Sequence, residues 1–529
     1  MRTTPPGSVT QMYSRRDAGL LALGLIPFLI LVALHWSTLP LLTSGDYAQY
    51  LAHADALLHR RAYTDIGYIW TPLSPFVGPR AQPPGLALTM LPVIAVFGTS
   101  LWVPKLVMVV SGAAFLLLSG WYIAKRTTIW IGVATMLLTG TALEVAYATN
   151  VPLSDLGFAA LIWSVIALAD APGSWSRART AAITLLGLAA MAYRVPGVAL
   201  LPAMTVYAFF QEPRQRRAAA IPVLAWVATL LVGVLAVQAG LPLDDLFGRG
   251  TRTILMRMLK HASDYPRMIL DVFLYPFASD RANDILHVVT MVLSLIGASR
   301  FLLRHRRSFL VAFVIVYVAM LLVAPVKDAR YSWPLYPVAA AGFALALGWL
   351  MSRALDAIRS GPRLSGSVAA CVLTAAVLVA PVLAKEASRP QPRTLLGHPD
   401  TGTLFETIRV AGRREPMRVM FINPRVLTWE TGVPAMALIA RPASAVLDEI
   451  ANREISHVIA GDLGQRSTGS DTLRALVRLH PSRFRVEYEN PSFIVYRVTN
   501  NVLAPVTTDT TVTVPSPSPS VIPGSSGER

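Results

Sequence analysis

The chain has 529 residues, 54% of them hydrophobic and 15% charged, with a mean hydropathy of +0.51. A soluble protein of this size needs far more polar surface, so the composition excludes one and indicates a polytopic membrane protein. The net charge of +17 does not indicate a nucleic-acid partner, because the basic residues stand in small knots between apolar runs and no basic stripe carries interleaved aromatics.

The knots are Arg15/Arg16, Lys125/Arg126, Arg177/Arg179, Arg214/Arg216/Arg217, Arg304/Arg306/Arg307 and Arg353/Arg359/Arg363. They follow the pattern of cytoplasmic loops, and placing each of them inside orders the chain. Residues 1–18 form a cytoplasmic segment, and 19–42 is an uncleaved first span, too long for a signal-peptide core. An outer loop follows, with an amphipathic helix over 46–61 whose apolar positions Tyr47, Tyr50, Leu51, Ala54, Leu57 and Leu58 recur at helical spacing. The periodicity predicts a helix on the membrane surface, its apolar face in lipid or against the bundle, with Asp46 as its N-cap.

The apolar run 84–98 is short and contains Pro92. It reads as a half-buried helix in the outer leaflet rather than a crossing. Spans are then expected at 102–124, 129–148, 152–170, 180–193, 197–212 and 218–240, and after an outer loop at 285–303, 308–325, 334–352 and 367–384. The loop 241–284 carries six basic and six acidic residues, without the bias of an inner loop. The fold class is therefore mostly α: a polytopic helix bundle of about eleven spans, amino terminus inside and carboxyl terminus outside. Residues 395–498 alternate β-like runs ("RVMFIN", "SHVIAGD", "FIVYRV") with helical segments, predicting a small extracytoplasmic α/β domain. The Pro/Ser/Thr-rich tail 504–529 reads as disordered.

Chemistry is sought among charged groups near the spans, which are costly at membrane depth. Asp46, Asp155, Arg194, Lys327, Asp328 and Arg330 all fall on the outer side of this topology. The lone Cys371, inside an apolar run, excludes an internal disulfide and argues against thiol chemistry. His53, His59 and His287 lack metal-ligand spacing, so neither metal nor cofactor is expected.

The segment "SGDYAQYLAHADALLHRRAY", followed by "QPPGLALTMLPVIAVFG", "ATNVPLSDLGFAALIW" and "DARYSWPLYP", resembles the integral-membrane GT-C glycosyltransferases. The nearest groups are protein O-mannosyltransferases and the bacterial transferases that place 4-amino-4-deoxy-arabinose on lipid A. The resemblance covers about residues 19–350 and rests on the order and shared sidedness of the motifs. It implies transfer of a sugar from a polyprenyl-phosphate carrier to a lipid, protein or glycan acceptor on the outer face of the plasma membrane. It further implies that Asp46 is the catalytic base and Asp155 the second acid, with Arg330, Tyr331, Lys327 and Arg194 on the donor's phosphate or sugar. Two positions depart from the family: Tyr47 stands where a second acid often follows Asp46, and Gln82 where a Lys or His often precedes the Pro-Pro pair, with Arg80 as stand-in. A transporter or flippase of lipid-linked sugars is the rival class, disfavoured by the absence of inverted repeats.

Overall fold

The computed structural model describes residues 15–36, 45–71, 82–98, 100, 102–237, 251–271, 280–324, 327–358, 365–388, 398–438, 442–461 and 468–499. Arg80 and the tail 504–529 lie outside the described residues. Within them the chain is mostly helical, and the expected apolar runs are helices. Among the described residues, five helical stretches are long and apolar enough to cross a membrane: Arg15–Leu34, Trp102–Arg126, Asp284–Arg304, Ala329–Asp356 and Gly366–Ala387. A sixth is added if Ile129–Gly140 and Leu143–Asn150, bent by 66° at their junction, form one broken span. Gly85–Phe97, Ser154–Ala169, Val195–Phe209 and Phe309–Val323 are apolar but shorter. The architecture is that of a multi-pass membrane protein.

Local sequence accounts for the breaks. Thr128, Ser176, Ser308 and Ser365 each cap the helix that follows by accepting a backbone N–H three residues on. Ala375–Val379 forms a π-helical turn just before Pro381, which cannot donate into the regular ladder. Gly297 and Gly342 meet backbone to backbone, so Asp280–Arg304 and Tyr336–Ile358 pack with no room for a Cβ at either position.

The bundle has two polar ends. Asp155 stands in the first turn of Ser154–Ala169, and Asp170 closes the same helix, about 22 Å away at 1.5 Å per residue. Asp170 sits among the basic knots: it accepts from Tyr122 Oη at 2.6 Å and from Phe309 N at 2.6 Å, with Arg126 at 3.8 Å. Asp155 lies at the other end, beside the turn after Arg177–Tyr193.

The carboxyl-terminal segment folds around one six-stranded sheet in the order β1-β3-β2-β4-β6-β5. The strands are β1 (Tyr68–Ile69), β2 (Val419–Phe421), β3 (Ala435–Ala437), β4 (His457–Gly461), β5 (Phe484–Glu489) and β6 (Phe493–Val498). The first four in that order are mutually parallel, and β6 and β5 are antiparallel. β1 comes from the first loop, where Tyr68 pairs with Ala435 and Ile69 with Met436. The α/β unit is thus completed by a strand from more than 300 residues upstream, which composition does not reveal.

The amphipathic segment forms the helix Asp46–Leu58, but not as a surface float. Its N-cap is Gly45, with Asp46 the first helical residue, and Tyr47, Ala48, Gln49, Tyr50, Leu51, His53, Ala54 and Ala56 are all buried. The helix packs against Gly85–Phe97 on one side and Pro424–Thr431 on another. Its polar positions Gln49 and His53, four apart, are satisfied there: Gln49 Nε2 lies 3.3 Å from His53 Nε2, and His53 Nδ1 lies 2.6 Å from the Tyr63 carbonyl. Apolar spacing places the helix on the membrane surface and gives no partner for this side.

Candidate active site

Four loop–helix junctions and one helix of the carboxyl-terminal unit converge at one end of the bundle. Asp46 heads its helix, where the N-terminal dipole favours a carboxylate. A Cβ at Gly45 would stand 2.5 Å from Asn423 Oδ1 and 2.8 Å from Arg425 Nε, so only glycine lets the start of Pro424–Thr431 approach this closely. Asp155 lies in the first turn of its helix, 3% exposed. Arg194 ends Arg177–Tyr193 in extended conformation, ahead of Pro196. Arg330 sits in the 3-10 turn Ala329–Leu335, whose N-cap Asp328 accepts the Arg330 N–H at 3.0 Å.

Each carboxylate has its own guanidinium. Arg425 Nη1 donates to Asp46 Oδ1 at 2.7 Å and to Gln49 Oε1 at 2.9 Å. Arg194 pairs with Asp155 Oδ1, and its guanidinium lies 4.9 Å from the centre of the Tyr331 ring. Arg330 Nε and Nη2 both donate to Asp328 Oδ2, at 2.9 and 2.6 Å. Burial pushes the Asp328 carboxyl up, but the hydrogen bonds and charge of Arg330 outweigh it and hold the group below its ordinary value.

One donor is left over. Arg330 Nη1 makes no hydrogen bond among the described residues and lies between two carboxylates, 3.6 Å from Asp46 Oδ2 and 3.9 Å from Asp155 Oδ2. Asp155 Oδ2 is buried without a hydrogen-bond partner. These atoms face a cavity of ≈ 300 Å³, which Tyr50, Gln82, Ser154, Pro196 and Tyr331 also line. Tyr50 Oη donates to Gln82 Oε1 at 2.7 Å and lies 2.9 Å from Ser154 Oγ. Burial raises its pKa, keeping the phenol neutral.

The structure thus brings Asp46, Asp155, Arg194, Arg330 and Tyr331 together around one cavity. It does not bring Lys327 there. Expected beside a donor phosphate, that ammonium instead pairs with Asp264 at 2.6 Å on the partly exposed face of Thr251–Asp271, because a helix forms inside the stretch taken as a loop. Arg425, which sequence reasoning missed, stands nearest to Asp46. The only local signal was the Asn-Pro-Arg at the start of a helix; the contact itself bridges 379 positions.

Metal-ligating geometry occurs elsewhere. Among the described residues one group, Glu415, His457 and Glu487, holds its ligand atoms within 4.8 Å of one another. Arg497 already reaches Glu415 at 2.7 Å and Glu487 at 3.6 Å, supplying positive charge to that cluster.

Behind Asp46, the His53 ring stacks on Tyr63 at 3.9 Å. Burial lowers its pKa from 6.5 to about 4, against a partial rise from the Tyr63 carbonyl. The unfolded chain therefore binds a proton between these values that the folded chain refuses. The stabilisation is complete above pH 6.5 and is lost as pH falls towards about 4. Denaturant titrations at pH 7.5 and 4.5 should show His53→Gln removing a pH-dependent loss of up to about 3 kcal/mol. An unchanged pH slope in the variant would contradict it.

The fold has solved counterparts. The archaeal oligosaccharyltransferase AglB from Archaeoglobus fulgidus, in complex with an inhibitory peptide and a dolichol-phosphate, matches with a TM-score of 0.54 at 13% identity, over 84% of this chain and 69% of that one. The apo form of the Archaeoglobus fulgidus oligosaccharyltransferase matches at 0.53 and 13%, over 86% and 70%. ArnT from Cupriavidus metallidurans in the apo state aligns over 93% of this chain and 100% of its own, at 14% identity and a TM-score of 0.48. No family model and no curated protein matches the chain. The likeness to the oligosaccharyltransferase shows that the chain shares its fold.

Proposed function

We propose that the chain is an integral-membrane glycosyltransferase that moves a sugar from a polyprenyl-phosphate donor to an acceptor on the extracytoplasmic face. The observation that carries this reading is the spare Arg330 Nη1, set between Asp46 and Asp155 at the end of the bundle away from the basic knots. A fixed cation with a free donor is what a departing phosphate requires. The fold adds support, since the oligosaccharyltransferase that shares it holds a dolichol-phosphate.

In this reading the acceptor hydroxyl oxygen attacks the anomeric carbon. The bond from that carbon to the phosphate oxygen breaks, and its electron pair leaves with the polyprenyl phosphate. The acceptor proton passes to Asp46 Oδ2, the oxygen that Arg425 and Gln82 leave open while they bind Oδ1. Asp155 Oδ2 accepts a hydroxyl of the sugar or acceptor, and Arg194 holds Asp155 in place. The short helix Gly85–Phe97, with Leu88, Val96 and Phe97 exposed, gives the prenyl chain an apolar flank beside Gln82. In this reading the basic knots face the cytoplasm, and the pocket at the opposite end of the bundle opens on the outer face.

Mass spectrometry of lipids and envelope glycans from cells with and without the gene tests the reading. A pentose or hexose mass missing from one acceptor class, with the sugar-loaded carrier accumulating, is the expected result. Carrier lipids that cross reconstituted vesicles with the sugar still attached would identify a flippase instead.

A further inference from the structure

A larger cavity, of ≈ 770 Å³, lies at the opposite end of the bundle, between Trp102–Arg126, Asp280–Arg304, Tyr336–Ile358 and the starts of two further helices. Its rim carries Arg126, Arg300 and Arg304, and no carboxylate lines it among the described residues. Arg300 and Arg304 form no ion pair among the described residues, and Arg300 instead lies 5.6 Å from the Trp349 ring. Asp170 lines an adjoining cavity, but Tyr122 and the backbone N–H groups of Phe309 and Leu310 occupy its oxygens.

Two helix N-termini open onto the same rim. Ile129–Gly140 and Gly366–Thr374 begin at Thr128 and Ser365, both of which line the cavity. Their dipoles add positive potential to that of the arginines. His305 Nε2, also at the rim, is buried without a hydrogen-bond partner. Burial, then Arg126 and Arg304, pushes this imidazole down to about 4, so the ring is neutral at physiological pH.

Away from the rim the lining is mainly apolar, with Leu293, Ile296, Leu345 and Trp349 among it. Ile296 and Trp349 line it and are 49% and 48% exposed, on two of the helices long enough to cross a membrane. A soluble anion has no use for such walls, whereas an acyl chain does. We infer that this cavity is a binding site for an anionic phospholipid of the adjacent leaflet, its phosphate held by Arg300, Arg304 and the two helix N-termini and one chain lying along Ile296 and Trp349. The site is distinct from the candidate active site, which stands at the far end of Ser154–Ala169.

Native mass spectrometry of the full-length protein, delipidated and then offered equal phosphatidylglycerol and phosphatidylcholine, tests the inference. The wild type should retain phosphatidylglycerol selectively at about one molecule per chain. Arg300→Ala/Arg304→Ala should lose that retention by at least about tenfold, since two charge-assisted hydrogen bonds are removed. Ile296→Trp, at an exposed position, fills the apolar wall with the charges kept, and should lose it too even if the arginine variant folds poorly. Equal retention of the two lipids would overturn the inference, as would unchanged retention in the folded variants. Displacement of phosphatidylglycerol by millimolar inorganic phosphate would reduce the site to an anion site and overturn it as well.

Discussion

Replacing Asp46 with asparagine is expected to lower sugar transfer by about 10²–10⁴-fold, the usual worth of a positioned general base. The substitution keeps shape and keeps an acceptor oxygen for Arg425, so the helix Asp46–Leu58 should stay docked. What disappears is the proton acceptor at Oδ2. The loss should therefore fall on kcat, with little change in the KM for the donor, whose phosphate is assigned to Arg330. Purified protein in vesicles, a radiolabelled polyprenyl-phosphate sugar and thermal unfolding as a fold control make the measurement. Activity within a few-fold of wild type would remove Asp46 from the mechanism.

Arg194→Met is expected to destabilise the protein by about 3–5 kcal/mol, because it leaves a buried carboxylate without its direct partner. The Asp155 side chain is 2% exposed, and its other cation, Arg330, is 3.9 Å away and already committed to Asp328. Adding Asp155→Asn should restore much of the stability by removing the stranded charge, a coupling that separates this cause from simple loss of packing. Thermal unfolding of wild type, both single variants and the double variant closes the cycle. Additive losses would show that the two side chains do not act as a pair.

The parts of this molecule that follow from local pattern were legible in the sequence. Apolar runs became helices near the expected positions. Asp155, Arg194 and Arg330 could be grouped because each falls at the end of an apolar run on the same side of the topology. The rest depends on contacts between distant segments. Arg425 belongs to a unit that composition separates from the bundle, so nothing in its neighbourhood names Asp46 as its partner. Lys327 was misread because the stretch before it was taken as a loop, whereas Thr251–Asp271 is a helix whose Asp264 captures the ammonium. The burial of Gln49 and His53 was not legible, because a polar stripe that meets another polar stripe has the same periodicity as one that meets water.

The two-residue pairing of Tyr68–Ile69 with Ala435–Met436 has a mechanical outcome. It rivets the first loop to the distal module midway between Asp46 and Gln82, while Arg425 grips the loop again at its root. Swinging that module outward would drag both walls of the cavity with it. Under the proposed function, admission of an acceptor and slackening of the grip on the carrier become a single gesture.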